Sequence, residues 1–218
     1  MSAREPRWAR LFRIARSLIA QVNSEQVIVD TWSLGGGTAM MLRIDHRESD
    51  DIDIFLPDPQ LLPYLDPKLR DFEFGIVPSD YRGDGARFVK LAFENIGEID
   101  FIIGRALTHP PTTNWTIEGE QVRLETVAEV ITKKVHYRGA NIKPRDIFDV
   151  AAAAWRDRDP IIAELRKYRD DVTRTRLALD RLNPDFVNAT IADLAIRDEY
   201  RPIAETALRD AKDLLSSI

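Results

Sequence analysis

The sequence predicts an α+β protein, with a mixed β-sheet in its first half and a C-terminal helical half. Between residues 28 and 104, short runs rich in β-branched and aromatic residues alternate with clusters of Gly, Pro, Asp and Asn. After residue 115, apolar residues instead recur at intervals of three and four, which is the period of an amphipathic helix. A chain of 218 residues can bury a sizeable core and suits one large domain or two small, tightly joined ones.

The predicted elements follow in chain order. An amphipathic helix, rather than a signal peptide, is expected at the start, because arginines interrupt the apolar residues of MSAREPRWARLFRIARSLIAQV. Five strands are predicted next, in VIVDTWSL, DIDIFL, FEFGIV, RFVKLAF and EIDFIIG. A short hairpin is predicted in TIEGEQVRL. Five helical segments complete the chain: LETVAEVITKKVHY, RDIFDVAAAAW, PIIAELRKYRDDVTRTRLALDRL, PDFVNATIADLAI and RPIAETALRDAKDLLSSI.

Composition excludes several classes of protein and site. The chain has no cysteine, so it has no disulfide framework, no thiolate zinc site and no cysteine nucleophile, which fits the cytoplasm. No stretch approaches the run of about 20 apolar residues that a membrane span requires, and we expect no membrane partner. The net charge of −5 at pH 7 argues against a general nucleic-acid coat.

Charge is distributed unevenly along the chain. Residues 45–100 carry 14 acidic and six basic side chains, whereas residues 120–181 carry 14 basic and 11 acidic ones. Between residues 133 and 145, no acidic residue accompanies the basic ones, which are Lys133, Lys134, Arg138, Lys143 and Arg145. This basic stretch is either a solvated helix end or a surface for a polyanion, and composition alone leaves both interpretations open.

A glycine-rich turn follows the first predicted strand. The strand ends at Leu34, the glycines Gly35, Gly36 and Gly37 follow, and Thr38 is expected to be the N-cap of a helix in TAMMLRI. Backbone amides at such a helix start can bind phosphate, because glycine allows close approach and the helix dipole favours negative charge. A tight strand-to-helix turn without a ligand is the alternative interpretation.

Aspartates share one face of the next predicted strand. In DDIDIF, the period of two places Asp51 and Asp53 on the same side. Neighbouring carboxylates repel each other unless a cation lies between them, and Mg²⁺ prefers such oxygen ligands. Asp100 is a third carboxylate in a similar setting, the apolar run Ile99–Ile103. Three carboxylates beside a glycine-rich turn are typical of two-metal phosphoryl or nucleotidyl transfer, although aspartates on a solvent-facing edge strand are the alternative.

Two ordered signatures resemble a known enzyme family. The first reads Gly-Gly, then Arg-x-Ser-x-Asp-h-Asp with h apolar, and consists of Gly35, Gly36, Arg47, Ser49, Asp51 and Asp53. The second is a basic helix followed by Arg-Asp-x-x-Asp, and consists of Lys133, Lys134, Arg145, Asp146 and Asp149. Together they resemble the AbiEii/MenT-like toxins of abortive-infection and toxin–antitoxin systems, which have a nucleotidyltransferase fold of the DNA-polymerase-β type. The resemblance covers residues 30–155.

The resemblance implies transfer of a nucleoside monophosphate from an NTP, with two Mg²⁺ ions. Asp51, Asp53 and Asp100 would bind the metal ions, and Asp100 would also help to activate the acceptor hydroxyl. The turn Gly35, Gly36, Gly37 and Thr38 would hold the triphosphate. A nucleotidyltransferase core with its N-terminal helix is then expected over residues 1–110, and a mainly helical domain that completes the active-site cleft over residues 111–218.

The remaining residues of the first signature receive separate predictions. Arg47 suits a phosphate clamp, because a guanidinium group keeps its proton. The Ser49 hydroxyl either contacts a phosphate oxygen or closes the local turn.

The second signature supplies further candidates. Lys133 and Lys134 diverge by about 100° on a helix, so they cannot both face the same pocket, and Lys134, beside the buried stripe, is favoured as the phosphate contact. Asp149 would orient Lys134 or Arg145 through a charge pair, and an internal salt bridge between helices is the alternative. Lys133, Arg145 and Asp146 are counted with the nucleotide-binding residues.

Three functions fit these residues. The first is a toxin that transfers a nucleoside monophosphate to RNA, with tRNA as the leading acceptor, and arrests growth unless a cognate antitoxin blocks it. A small-molecule nucleotidyltransferase of the antibiotic-modifying kind is the alternative, since it shares the glycine turn and the aspartate pair. The basic stretch favours a polyanionic acceptor, with Arg138 and Lys143 on the RNA backbone. A nucleotide-binding module without transfer activity is the third, and the presence of all three carboxylates weakens it.

Overall fold

The computed structural model describes residues 5–218 and confirms the predicted α+β class. The described strands form one mixed sheet in the order β3-β4-β5-β2-β1-β7-β6. They are β1 (Ser33–Gly35), β2 (Ile52–Leu56), β3 (Asp80–Gly83), β4 (Phe88–Phe93), β5 (Gly97–Ile103), β6 (Thr112–Ile117) and β7 (Glu120–Glu125). In the centre of the sheet, β1 pairs with β2 in antiparallel and with β7 in parallel, and β2 pairs with β5 in parallel.

Along the chain, helices precede, interrupt and follow these strands, and they make up most of the second half of the sequence. Those of the described chain are α1 (Arg7–Val22), α2 (Gly36–Ile44), α3 (Val127–Arg138), α4 (Pro144–Arg156), α5 (Arg158–Leu165), α6 (Arg169–Asp180), α7 (Pro184–Ala192), α8 (Arg201–Ala204) and α9 (Ala207–Ser216). Among the residues that the structure describes, no helix is both long and apolar enough to cross a membrane.

The chain forms two compact units that are interleaved in sequence. The sheet unit consists of the described residues up to Thr38 together with Ser49–Ala106 and Thr112–Glu125. The helical unit consists of Ala39–Glu48, Leu107–Pro111 and Thr126–Ile218. The expected bounds 1–110 and 111–218 stay a prediction; the structure shows which short segments of the first half join the helical unit.

The core of the sheet unit follows from strict alternation along its strands. In β2, Ile52, Ile54 and Leu56 are buried, and β4 and β5 alternate in the same way. Helix α1 packs against β2 and β5. It buries one apolar face, formed by Leu11, Phe12, Ala15, Leu18, Ile19 and Val22. The intervening residues of β2 and β5 therefore point to the opposite side of the sheet.

The first predicted strand is shorter in the structure. Only Ser33 and Leu34 of the run VIVDTWSL belong to a strand, which ends at Gly35. The side-chain oxygen of Asn23 accepts hydrogen bonds from the backbone N–H groups of Ile28 and Val29, at 2.9 and 2.8 Å, and its amide donates to the Val29 carbonyl at 2.9 Å. A side chain thus takes the backbone groups that a neighbouring strand would have paired.

The predicted strand FEFGIV is wrong for a similar reason. The Gln21 side chain accepts a hydrogen bond from the Glu73 N–H at 2.9 Å and donates one to the Glu73 carbonyl at 3.0 Å. The edge strand β3, Asp80–Gly83, was not predicted, because its residues are polar and largely exposed and show no apolar alternation.

The helical unit is organised around α4. This helix buries the continuous stretch Asp146–Ala153 and packs against α3, α5, α7, α8 and α9. Its alanines allow close approach of the neighbouring helices. The long helix predicted in PIIAELRKYRDDVTRTRLALDRL is divided into α5 and α6 by a 3₁₀ turn, Arg166–Tyr168. Tyr168 leaves the helical conformation there, and its hydroxyl donates to the Leu107 carbonyl at 2.6 Å.

A buried carboxylate holds the segment Leu107–Pro111 within the helical unit. Glu129 of α3 is fully buried and accepts hydrogen bonds from the Leu107 N–H at 3.0 Å, the Thr108 N–H at 2.8 Å and the Thr108 hydroxyl at 2.7 Å. The Lys133 ammonium lies 3.4 Å from the same carboxylate. Glu129 therefore satisfies two backbone donors that have no access to water.

We expect Glu129→Ala to lower the free energy of unfolding by about 3 kcal/mol, because it leaves buried donors unsatisfied. Urea unfolding followed by far-UV circular dichroism measures this. Glu205→Ala removes an exposed carboxylate from the same unit and serves as control, with an expected change within about 0.5 kcal/mol. Equal stabilities of the two variants would contradict the role given to Glu129.

Candidate active site

The glycine-rich turn joins β1 to α2 without an intervening loop. The strand ends at Gly35 and the helix begins at Gly36, whose φ of 66° lies in the left-handed region. The prediction of Thr38 as N-cap is wrong, because Thr38 lies inside the first turn of α2 and is fully buried. Its hydroxyl donates to the carbonyls of Ser49 and Asp51, and so it fixes the approach to β2.

The glycines of this turn make room for two carboxylate side chains. A Cβ atom on Gly36 would lie 1.8 Å from the Asp53 Oδ2 atom. On Gly35 it would lie 2.4 Å from the Glu125 Oε2 atom and 2.5 Å from the Phe55 ring. Any larger residue at either position would therefore displace a neighbouring side chain.

Glu125 is a site neighbour that the sequence analysis missed. Its carboxylate is buried at the end of β7 and accepts a hydrogen bond from the Ser33 hydroxyl at 2.8 Å. The available signal was an acidic residue at the last position of β7, directly before the Thr126 N-cap of α3.

The aspartates of the first signature lie at the centre of the sheet. Asp53 of β2 and Asp100 of β5 are directly paired in the parallel register, so their side chains share one face. Asp51 precedes β2, and its Oδ1 atom accepts a hydrogen bond from the Glu98 N–H at 3.0 Å. The structure thus brings Asp53 and Asp100 together beside Gly36 and ties Asp51 to the start of β5.

The strand on the other side of β5 adds a cation. Lys90 of β4 is the antiparallel partner of Asp100, and its Nζ atom lies 2.8 Å from the Asp100 Oδ2 atom. The Lys90 ammonium also pairs with Glu98. Burial raises the pKa of Asp100 to about 6; the Lys90 hydrogen bond opposes this shift and the Asp53 charge adds to it. The Asp100 Oδ1 atom is buried and has no hydrogen-bond partner among the described residues.

The carboxylate oxygens of Asp53 and Asp100 are chemically suited to bind a divalent cation. Within residues 5–218, no three Asp, Glu or His side chains converge into a preformed metal site. Asp53 and Asp100 nevertheless supply adjacent carboxylates, and the Asp100 Oδ1 atom lacks the partner that a buried oxygen requires. Oxygen ligands of this kind fit Mg²⁺, which completes its octahedron with water or phosphate oxygens.

The second signature forms a buried ionic network in the helical unit. The Asp149 carboxylate of α4 accepts hydrogen bonds from Arg47 Nε at 2.7 Å and from Arg47 Nη2 at 3.0 Å. Lys134 of α3 lies 3.0 Å from Asp149 and 2.5 Å from Asp146. Burial opposes ionisation of Asp149, but Lys134 and Arg47 outweigh it and hold the pKa of Asp149 well below its usual range.

His46 also belongs to this network, and no motif in the sequence connects it to Asp149. Its Nε2 atom lies 2.8 Å from the Asp149 Oδ1 atom, and its ring stacks on Phe148 with centroids 5.8 Å apart. Burial lowers the pKa of His46. His46 and Arg47 are more than 100 positions from Asp149 in sequence, so no local spacing connects them.

The network changes the partners assigned to these residues. Arg47, predicted as a phosphate clamp, is buried and bound to Asp149 in a bidentate manner. Asp149 pairs with Lys134 and with Arg47, and Arg145 is exposed in the first turn of α4. Asp146 is fully buried against Lys134. The described arrangement is the internal salt bridge considered as the alternative, and nucleotide contacts of these residues stay predictions.

Only part of the basic stretch is exposed. Lys133 and Lys134 are buried, at 6% and 7% exposure, so they belong to the interior of the helical unit. The Arg138 side chain is 42% exposed, and its Nη1 atom lies 3.6 Å from Asp146. Lys143 and Arg145 are exposed at the start of α4. A polyanion-binding surface would therefore consist of Arg138, Lys143 and Arg145.

Ser49 of the first signature and Gly37 of the glycine-rich turn are both half-buried. The Ser49 carbonyl accepts a hydrogen bond from the Thr38 hydroxyl, and the contact of the Ser49 hydroxyl with a phosphate oxygen or with the local turn stays a prediction. Gly37 lies half-buried in the first turn of α2, where its N–H belongs to the helix start that would meet a phosphate.

Comparison with solved structures shows the same fold. MenT4, a nucleotidyltransferase toxin from Mycobacterium tuberculosis H37Rv, is 18% identical with a TM-score of 0.53, and the alignment covers 96% of this chain and 84% of that chain. A protein from H. pylori assigned as a nucleotidyltransferase is 17% identical with a TM-score of 0.50, over 98% of this chain and 95% of that chain. No curated protein sequence matches the chain.

The sequence itself matches a family described as nucleotidyl transferase AbiEii toxin, type IV toxin–antitoxin system. The match extends over residues 17–216 and includes both signatures, which confirms the resemblance drawn from them. The chain therefore belongs to the AbiEii family of nucleotidyltransferase toxins.

Proposed function

We propose that this nucleotidyltransferase toxin transfers a nucleoside monophosphate from an NTP to an RNA acceptor, with tRNA as the first candidate. Asp51, Asp53 and Asp100 would supply the ligands of Mg²⁺, and a cognate antitoxin would restrain the activity. The observation that carries the proposal is the pairing of Asp53 with Asp100 beside Gly36, at the start of α2.

The start of α2 suits the triphosphate. Its first N–H groups have no partner within the helix, and the positive end of the helix dipole favours phosphate oxygens. Gly36 keeps this backbone in contact with the Asp53 carboxylate, so phosphate donors and metal ligand are neighbours. Mg²⁺ bound there would neutralise charge on the transferred phosphorus and lower the pKa of the acceptor hydroxyl.

Asp100 would direct the acceptor. It lies on the same face as Asp53, and its Oδ1 atom has no hydrogen-bond partner in the described chain. A metal ion would supply the partner that this buried oxygen lacks, and it would favour loss of the proton of the acceptor hydroxyl as the new P–O bond forms and pyrophosphate leaves.

The exposed part of the basic stretch supports a polyanionic acceptor. Arg138, Lys143 and Arg145 lie within one short segment, from the end of α3 to the first turn of α4. RNA phosphates would bind such a group through charge and counterion release. A small hydroxylated acceptor would gain nothing comparable from it, and this difference separates the two enzyme hypotheses.

We expect Asp53→Asn to abolish transfer, because it removes a metal ligand at the centre of the site. The measurement incubates purified protein with each labelled NTP, total RNA and either Mg²⁺ or EDTA. Asp50→Asn is the matched control, since Asp50 is a partly exposed neighbour in sequence whose carboxylate pairs with Arg7. Equal transfer by wild type and Asp53→Asn would overturn the assignment of the site.

Expression of the wild-type chain without an antitoxin should arrest bacterial growth, and the Asp53→Asn chain should not, because arrest requires transfer. Growth curves after induction, with protein levels matched by immunoblot, measure the difference. Identical growth of the two cultures would argue for the small-molecule alternative.

Lys143→Ala and Arg138→Ala should weaken RNA binding and reduce the slope of its salt dependence by about one unit for each lost phosphate contact. NTP binding should stay unchanged. Fluorescence anisotropy of labelled tRNA at several salt concentrations measures the slope, and Arg209→Ala in α9 removes an exposed arginine as control. If both variants bind tRNA like wild type at every salt concentration, the RNA acceptor is contradicted.

A further inference from the structure

Lys90 is a cation built into the carboxylate face of the sheet. Its Cα atom is the register partner of Asp100, and its ammonium group pairs with both Asp100 and Glu98. Val89 and Leu91 on either side are fully buried, so β4 holds Lys90 in a fixed position along the strand.

We propose that the Lys90 ammonium occupies the place beside Asp100 that a second divalent cation would take, so that the free enzyme binds one Mg²⁺ rather than two. This inference rests on the proposed metal role of Asp51, Asp53 and Asp100. The expectation of two Mg²⁺ ions is thus replaced, for the free enzyme, by one Mg²⁺ ion and the ammonium group of Lys90.

The two oxygen atoms of Asp100 have different surroundings. Oδ2 lies 2.8 Å from the Lys90 Nζ atom, whereas Oδ1 is buried without a hydrogen-bond partner in the part of the chain that the structure describes. Asp53 is the neighbour of Asp100 on the β2 side, and Lys90 is its neighbour on the β4 side. One cation between Asp53 and Oδ1 would therefore complete the site.

A second divalent ion at Oδ2 would compete with the ammonium directly. Mg²⁺ requires its oxygen ligands at about 2.0–2.1 Å. An ion at that distance from Oδ2, which itself lies 2.8 Å from the Lys90 Nζ atom, would lie within about 5 Å of the ammonium, where like charges repel inside a partly buried site. Glu98 also pairs with the ammonium, which favours the arrangement that the structure shows.

The test counts Mn²⁺ ions, used as a spectroscopic substitute for Mg²⁺, on the full chain without nucleotide. Free Mn²⁺ is measured by electron paramagnetic resonance during titration. We expect one bound ion per chain for wild type and two for Lys90→Met. Lys90→Arg should keep one, because it retains the positive charge. Lys90→Gln is a polar, neutral second variant in case Lys90→Met does not fold, as judged by circular dichroism.

The outcomes separate this inference from the proposed function. Two bound ions on the wild type, or one bound ion on both neutral Lys90 variants, would overturn the role of Lys90. The metal site itself would still stand if Asp53→Asn loses the bound ion. Absence of Mn²⁺ binding by wild type and by both neutral variants would overturn the metal role of the aspartates and the inference together.

Discussion

The parallel pairing of β2 with β5 is the constraint on which the candidate site depends. Its register places Asp53 beside Asp100, and the antiparallel pairing of β5 with β4 adds Lys90 to the same row. Burial of alternate residues fixes this register, because a slip by one residue would turn Ile52 and Ile54 out of the core and the aspartates into it. The apolar core thus determines where the carboxylates meet.

Local sequence pattern was sufficient for the strands and helices that bury an apolar face. It failed where a side chain replaced a strand partner: Asn23 binds the backbone of Val29, and Gln21 binds that of Glu73. No periodic pattern in the sequence reveals either contact. The β-rich composition of both runs therefore predicted strand residues that the structure does not have. The polar edge strand β3 was missed for the opposite reason. Its strand geometry comes from pairing with β4 and not from its own composition.

The position of the glycine-rich turn was predicted correctly, but the reason for its glycines was only partly predicted. The sequence located the turn between β1 and α2, and phosphate binding at the start of α2 stays a prediction. It could not show that Gly35 and Gly36 also leave space for Glu125 and Asp53, because these contacts join distant strands. Substitution at either glycine would therefore disturb a carboxylate as well as the backbone, and loss of activity alone would not identify a phosphate contact.

Charge matching distinguishes the two carboxylate clusters. In the helical unit, Asp149 has bonds from Arg47, His46 and Lys134, so its buried charge is fully compensated by the chain itself, and loss of any one partner would be costly. In the sheet unit, Asp100 has Lys90 on one oxygen and no hydrogen-bond partner on the other among the described residues, while burial, with a contribution from the charge of Asp53, raises its pKa. Incomplete compensation is costly in a buried strand unless a ligand completes it. The cluster in the sheet is therefore the one for which we propose a cation from outside the chain.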